Sequence, residues 1–201
     1  MDKITHLLPR SFKQSAMGLE TGFEDVFGEL FEQIHRALTY VGESDEETAG
    51  MQATLSVCWF KPGWMHFGHI GDTRIYYLPV LGKEIKQLSR DDTYVGWLFR
   101  NGQINEWEAH NHPQRTALQK ALGGGNQFVD PQVGAVAYEP GDMFLLCTDG
   151  LTEGLYDSQL HDLLRRPDAR EAMATPAQRL VAASLERAGR DNTTALVIEM
   201  L

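Results

Sequence analysis

An α+β domain, with helices covering antiparallel sheets, is the fold class this chain predicts, and three observations carry the prediction. Helical periodicity runs from Thr21 to about Tyr40. From Gln52 the chain changes to short aromatic and β-branched runs joined by tight turns, the pattern of an antiparallel meander. After a helical block, a second strand set, two helices and a last strand complete the sequence.

Element by element, residues 1–20 mix charge with Pro9 and Gly18, show no periodicity and read as an irregular leader, which leaves 21–201 as one domain. Thr21 with Glu24 three residues on forms a capping box. Phe23, Val26, Phe27, Leu30, Phe31, Ile34 and Leu38 then supply an apolar helix face. The acidic stretch Gly42–Thr48 is a solvated loop. Strands are expected over Ala53–Phe60, Trp64–Ile70, Arg74–Leu78 and Glu84–Leu88, separated by Lys61-Pro62-Gly63, Gly71-Asp72-Thr73 and Leu81-Gly82-Lys83. Two or three short helices fit between Asp92 and Leu122, with Gly123-Gly124-Gly125 as a helix C-terminal turn. Gln132–Tyr138 and Met143–Cys147 follow as strands around Glu139-Pro140-Gly141-Asp142. Of the two closing helices, the second has Thr175 as cap, Pro176 at its first position and Gln178 completing a capping box, and it stops at Gly189. Thr194–Met200 is the last strand.

Composition narrows the function. With 18 Lys and Arg against 28 Asp and Glu, the 201-residue chain carries a net charge of −10, which repels phosphate backbones and anionic lipid and argues against a nucleic-acid or membrane partner. No apolar run approaches the ~20 residues a membrane span needs. Polar residues throughout Met1–Met17 argue against a secretory signal, so a cytoplasmic protein is expected. Cys58 and Cys147, each inside an apolar strand-like run, suit buried free thiols in a reducing compartment.

Three aspartates occupy strand ends: Asp72 in Gly-Asp-Thr-Arg, Asp149 in Cys-Thr-Asp-Gly and Asp191 in Gly-Arg-Asp-Asn. Each alone is an ordinary turn residue. Position changes their meaning, because Asp149 directly follows the run Met143–Cys147 and Asp191-Asn192 directly precedes the last strand. Two adjacent antiparallel strands would set these carboxylates side by side. Carboxylates crowded at a sheet edge raise one another's pKa unless a cation neutralises them, and a hard divalent ion, Mg²⁺ or Mn²⁺, suits such oxygen donors. A pair of such ions can share a hydroxide and clamp a phosphoryl group for in-line attack. Other chemistries lack their motifs: there is no Gly-x-Ser-x-Gly, His-Glu-x-x-His or Cys-x-x-Cys, and the triple glycine is followed by Asn126-Gln127 rather than by the Gly-Lys-Ser/Thr of a phosphate loop.

In these segments the sequence resembles the PPM-type, metal-dependent protein serine/threonine phosphatases, the bacterial branch of the type 2C family. The matches come in the family's order: Gly50-Met51-Gln52-Ala53-Thr54-Leu55; Ile70-Gly71-Asp72-Thr73-Arg74-Ile75-Tyr76; Leu88-Ser89-Arg90-Asp91-Asp92-Thr93; His112-Pro113-x-Arg115 leading to Ala121-Leu122-Gly123-Gly124; Gly141-Asp142 with Thr148-Asp149-Gly150-Leu151; and Gly189-Arg190-Asp191-Asn192-Thr193-Thr194. The resemblance implies an α/β/β/α sandwich with metals at one end of paired sheets. It implies a phosphorylated protein as substrate and two Mn²⁺ or Mg²⁺ ions on Asp149 and Asp191, with a third, weaker ion at Asp72. It also implies Glu153 beside that third position and Asn192 orienting Asp191. Family members carry an N-terminal strand pair with a phosphate-holding Arg and an Asp-Gly-x-Gly-Gly whose Asp bridges both metals; Met1–Glu20 supplies neither. The implied protein is therefore N-terminally incomplete, either through a start site assigned too late or as a weak or inactive relative that binds phosphoproteins. An exposed sheet edge would favour self-association.

Overall fold

The computed structural model describes residues 22–82, 84–125, 129–165 and 174–201. The expected leader and Thr21 lie outside them. The chain is α+β and forms two compact units, one from residues up to Gly71 together with Leu118–Val136, the other from Asp72–Ala117 and Ala137–Leu201.

In the first unit, α1 (Phe23–Ser44) buries Val26, Phe27, Leu30 and Phe31, the face expected from the heptad-like spacing. Its N-cap is Gly22, which makes no side-chain cap bond, and Glu24 and Asp25 in the first turn complement the helix dipole instead. The helix runs past Tyr40 and ends where Asp45 turns extended and accepts from the Glu47 N–H at 3.0 Å. Strands β1 (Gln52–Ala53), β2 (Leu55–Lys61) and β3 (Trp64–Ile70) follow, β2 and β3 pairing as a hairpin in register Leu55 with Ile70 through Lys61 with Trp64. Gly68 of β3 lies under the α1 aromatics, where a Cβ would stand 2.9 Å from the Phe31 ring and 3.0 Å from Phe27.

The second unit is built on a four-stranded antiparallel sheet, β5-β4-β8-β9. Its strands are β4 (Arg74–Leu78), β5 (Lys86–Gln87), β8 (Met143–Cys147) and β9 (Ala195–Glu199). Between β5 and β8 come the short helices α2 (Tyr94–Arg100) and α3 (Glu106–His110), capped by Thr93 and by an Asn105–Glu108 capping box. In the first unit, β6 (Leu122–Gly123) pairs with β1, and β7 (Gln132–Ala137) completes the sheet β2-β3-β7.

The triple glycine thus differs from the helix C-terminal turn expected of it. Gly123 adopts φ 79° inside a strand pair, and a Cβ there would lie 2.4 Å from the Met51 carbonyl oxygen. Close approach of two backbones, with His35 Nδ1 accepting from the Gly123 N–H at 3.0 Å, is what the glycine permits.

Among the described residues three helices follow β8: α4 (Asp149–Gly154), α5 (Asp157–Arg165) and α6 (Pro176–Arg187), one more than the two expected. Tyr76, Leu78, Met143, Leu145, Leu151, Leu155, Leu160, Leu164 and Leu180 form the core they share with the sheet. The Thr175–Gln178 capping box with Pro176 at the start of α6 is as the sequence predicts. Buried Asp142 ties off the turn before β8, accepting from Tyr77 Oη (2.7 Å), Val80 N–H (2.7 Å) and Glu139 N–H (2.8 Å). These donors hold its carboxyl below its ordinary range against the opposing effect of burial.

Candidate metal and phosphate site

The site lies at one edge of the four-stranded sheet. Antiparallel pairing of β8 with β9 matches Cys147 to Ala195, so the segments beyond those two residues leave the sheet together. They stay joined: Thr148 N–H donates to Thr194 O (3.2 Å), Thr194 N–H to Thr148 Oγ1 (3.0 Å), and Thr148 Oγ1 to Asn192 O (3.2 Å). Asp149, the first residue of α4, and Asp191, just before β9, are thereby brought to the same edge. Strand β4 pairs with β8 on the other side, matching Arg74 to Cys147, and Asp72 stands two residues before Arg74.

Electrostatics record this gathering. Burial, then the charge of Asp149, pushes the Asp72 carboxyl up to about 6. Burial, then the charge of Asp191, raises that of Asp149, with Glu153 adding to it. Local backbone donors act in the opposite sense: Asp149 Oδ1 accepts from Gly150 N–H (2.9 Å), and Asp191 Oδ1 from Asn192 N–H (2.7 Å). The contact from Asn192 to Asp191 is made by its main-chain N–H, not by its side chain.

Asp72 and Asp149 open into a cleft of about 370 Å³ also lined by Arg74, Asp91, His110, Arg115 and Glu153. Among the described residues, no three His, Cys, Asp or Glu side chains are grouped to hold one metal ion. The donor chemistry nonetheless fits a hard divalent cation: Asp72 and Asp149 offer carboxylates whose charged forms burial and a neighbouring carboxylate disfavour. Such ions would be held by one or two carboxylates apiece, with water supplying the rest.

Sequence reasoning missed the charged framework around these aspartates. Arg74 donates through Nε to both Asp91 oxygens (3.0 Å each), through Nη2 to Asp91 Oδ2 (2.6 Å) and through Nη1 to Tyr76 Oη (2.9 Å). Gln87 Nε2 also donates to Asp91 (2.8 Å), Arg100 Nη1 donates to the Asp91 carbonyl (2.7 Å), and Tyr76 Oη donates to Asp157 (3.0 Å). This network fastens the start of α2 to β4. Glu153, expected near a third metal, is bound to Arg115 at 2.9 Å. His110 stacks on Tyr156 with ring centroids 4.2 Å apart, and burial followed by the Arg74 charge lowers its pKa. The signal for Arg74 was present as the arginine two residues after Asp72; its partner, 17 residues on, was not readable.

Carboxylates gathered at a sheet edge beside arginines are the kind of donor set that metal-assisted phosphate chemistry uses. The profile of protein phosphatase 2C matches residues 4–188, and the chain belongs to that family. It is 35% identical over 159 residues to the serine/threonine protein phosphatase PstP of Mycobacterium tuberculosis, covering 79% of this chain and 29% of that protein. The solved structure of the M. tuberculosis serine/threonine phosphatase PstP/Ppp superposes with a TM-score of 0.74 at 29% identity, covering 98% of this chain and 80% of the other. A PstP catalytic domain solved in complex with two manganese ions gives 0.71 at 27% identity, covering 97% and 79%. The chain therefore has the fold of these phosphatases while spanning less than a third of the PstP protein's length.

Proposed function

We propose that the chain hydrolyses phosphoserine and phosphothreonine monoesters on proteins, with Mn²⁺ or Mg²⁺ as cofactor. The observation that carries this is the strand register: pairing of Cys147 with Ala195 brings Asp149 and Asp191 to one sheet edge, and Asp72 stands two residues before β4, which pairs with β8 on the other side. Asp149 and Asp191 would hold two ions, and Asp72 a third, weaker one. Bound divalent ions supply an activated water for in-line attack and neutralise charge on the phosphoryl group. The Asn192 N–H fixes the Asp191 carboxylate, while Glu153, committed to Arg115, stands beside Asp149 without being spent on an ion. The manganese-bound relative and the family's name support the reading. We also propose a cytoplasmic location, which the free thiols of Cys58 and Cys147 suit.

The direct test is phosphate release from a phosphothreonine peptide by the purified chain with Mn²⁺. Turnover is expected, falling at least 100-fold in Asp149→Asn and Asp191→Asn. Background release by the wild type removes the proposal.

A second reading, a phosphoprotein-binding module without turnover, is favoured by one observation: the described carboxylates are not preassembled into a three-ligand group. Calorimetric titration with Mn²⁺ separates the two, since the enzyme takes up at least two ions and the binding module no more than one, weakly. We also propose self-association along β9, an edge strand with Leu196 53% exposed. Light scattering on the eluting protein tests this, and a monomer at micromolar concentration refutes it.

A further inference from the structure

We infer that Ser184 of α6 is a positioning residue for the metal site, holding Asp149 and Asp191 in place through Gly150. The inference rests on the metal-dependent phosphatase reading above. Ser184 is fully buried. A serine in the middle of a helix ordinarily faces solvent or bonds back to its own helix. Ser184 instead donates across to α4, to the Gly150 carbonyl at 2.8 Å and the Leu151 carbonyl at 3.3 Å. Both carbonyls belong to the first turn of α4, whose first residue is Asp149.

Helix α4 needs an outside hold. It has six residues, and a helix of fewer than two turns gains little beyond the cost of its nucleus, so it keeps no direction of its own. Its N-cap residue Thr148 makes no side-chain bond to the helix; that hydroxyl is engaged by Asn192 and Thr194 instead. Contact with α6 supplies the hold. A Cβ on Gly154 would stand 2.7 Å from Ser184 Oγ and 2.8 Å from the Ser184 carbonyl oxygen, so glycine is what lets the two helices meet here.

Gly150 carries that hold to both aspartates. Its N–H donates to Asp149 Oδ1 at 2.9 Å. Its Cα packs on the Asp191 segment, where a Cβ would lie 2.6 Å from the Asn192 carbonyl oxygen. The Asn192 N–H in turn donates to Asp191 Oδ1 at 2.7 Å. Two hydrogen bonds thus connect a buried hydroxyl on α6 to one carboxylate, and the same Gly150 abuts the residue that orients the other. Groups behind a metal's ligands govern affinity, because a carboxylate free to swivel loses the orientation that coordination demands.

The test compares wild type with Ser184→Ala, Gly154→Ala and Thr175→Ala. Thr175 caps the same helix α6 through Gln178, so its variant measures what weakening α6 does by itself. Three quantities are read: Tm, the Mn²⁺ dissociation constant by calorimetry, and hydrolysis of a phosphothreonine peptide over a range of Mn²⁺ concentrations. Ser184→Ala and Gly154→Ala should each raise the Mn²⁺ dissociation constant by roughly 3- to 10-fold, less than the loss of a direct partner of a metal ligand causes. Their hydrolysis should fall at low Mn²⁺ and recover as Mn²⁺ is raised, with KM for the peptide unchanged. Thr175→Ala should melt lower and bind Mn²⁺ as the wild type does. Wild-type Mn²⁺ affinity in Ser184→Ala overturns the inference. So does an equal loss of affinity in Thr175→Ala, which traces the effect to the stability of α6. A wild type that binds Mn²⁺ yet hydrolyses nothing removes the phosphatase reading and leaves the titration to decide the role of Ser184. A wild type that takes up no Mn²⁺ overturns both.

Discussion

Replacing Asp72 by Asn should stabilise the metal-free protein at neutral pH while weakening its response to metal. In the folded chain the Asp72 carboxyl is pushed up to about 6 from an ordinary value near 3.8, first by burial and then by Asp149. A group whose folded pKa is raised binds its proton more tightly when folded, so its contribution falls as pH rises from about 4 to 6 and remains unfavourable above that. At about 1.4 kcal/mol per pKa unit the cost of holding this charge at pH 7 reaches about 3 kcal/mol. Asp72 is only half-buried, and solvent screening brings the figure to about 1 kcal/mol. In a chain of this length that is about 2–4 °C in Tm. Thermal melts of EDTA-treated protein at pH 5 and pH 7 provide the assay. Wild type should lose stability from this group between the two pH values, and Asp72→Asn should abolish that part of the loss and melt higher at pH 7. Adding Mn²⁺ should raise the Tm of wild type more than that of the variant, because binding to the native state stabilises it by mass action. A variant that melts lower than wild type at pH 7 without metal, or keeps the full pH dependence, refutes the assignment of repulsive charge to this edge.

Other expectations concern the framework. Arg74→Met leaves the Asp91 carboxylate, 13% exposed, without its bidentate partner and should cost about 3 kcal/mol in a urea melt, with the double variant Arg74→Met/Asp91→Leu recovering much of it. Gly68→Ala drives a methyl against Phe31 and Phe27 and should cost about 1–3 kcal/mol by the same measurement. Thr175→Ala removes the acceptor for the Gln178 N–H and should lower stability by about 1 kcal/mol, whereas Thr175→Ser should be close to neutral.

Much of the candidate site was readable because it depends on local signals repeated at strand ends. Asp149 follows an unbroken apolar run and Asp191 precedes another, so a register of antiparallel strands was enough to set them at one edge, as the Cys147–Ala195 pairing does. Glu153 was not readable in the same way. The family resemblance placed it near a third metal, but whether it meets a cation or a guanidinium depends on Arg115, 38 residues earlier and on a different segment. The triple glycine misled for a related reason: glycine after a helical pattern is a helix-end signal, and the close approach of Met51 that demands it at Gly123 comes from the residue just before β1, about 70 residues away.

By itself the sequence determined the α+β class, the amphipathic face of α1, the cap of α6 and the three strand-end aspartates. All of these follow from periodicity and from bonds made within a few residues. Only the tertiary structure decided which charges meet. Arg74 closes on Asp91 and Arg115 on Glu153, and Asp72 feels Asp149. Ion pairing and mutual repulsion act through space over a few ångströms, and chain separation carries no record of that distance.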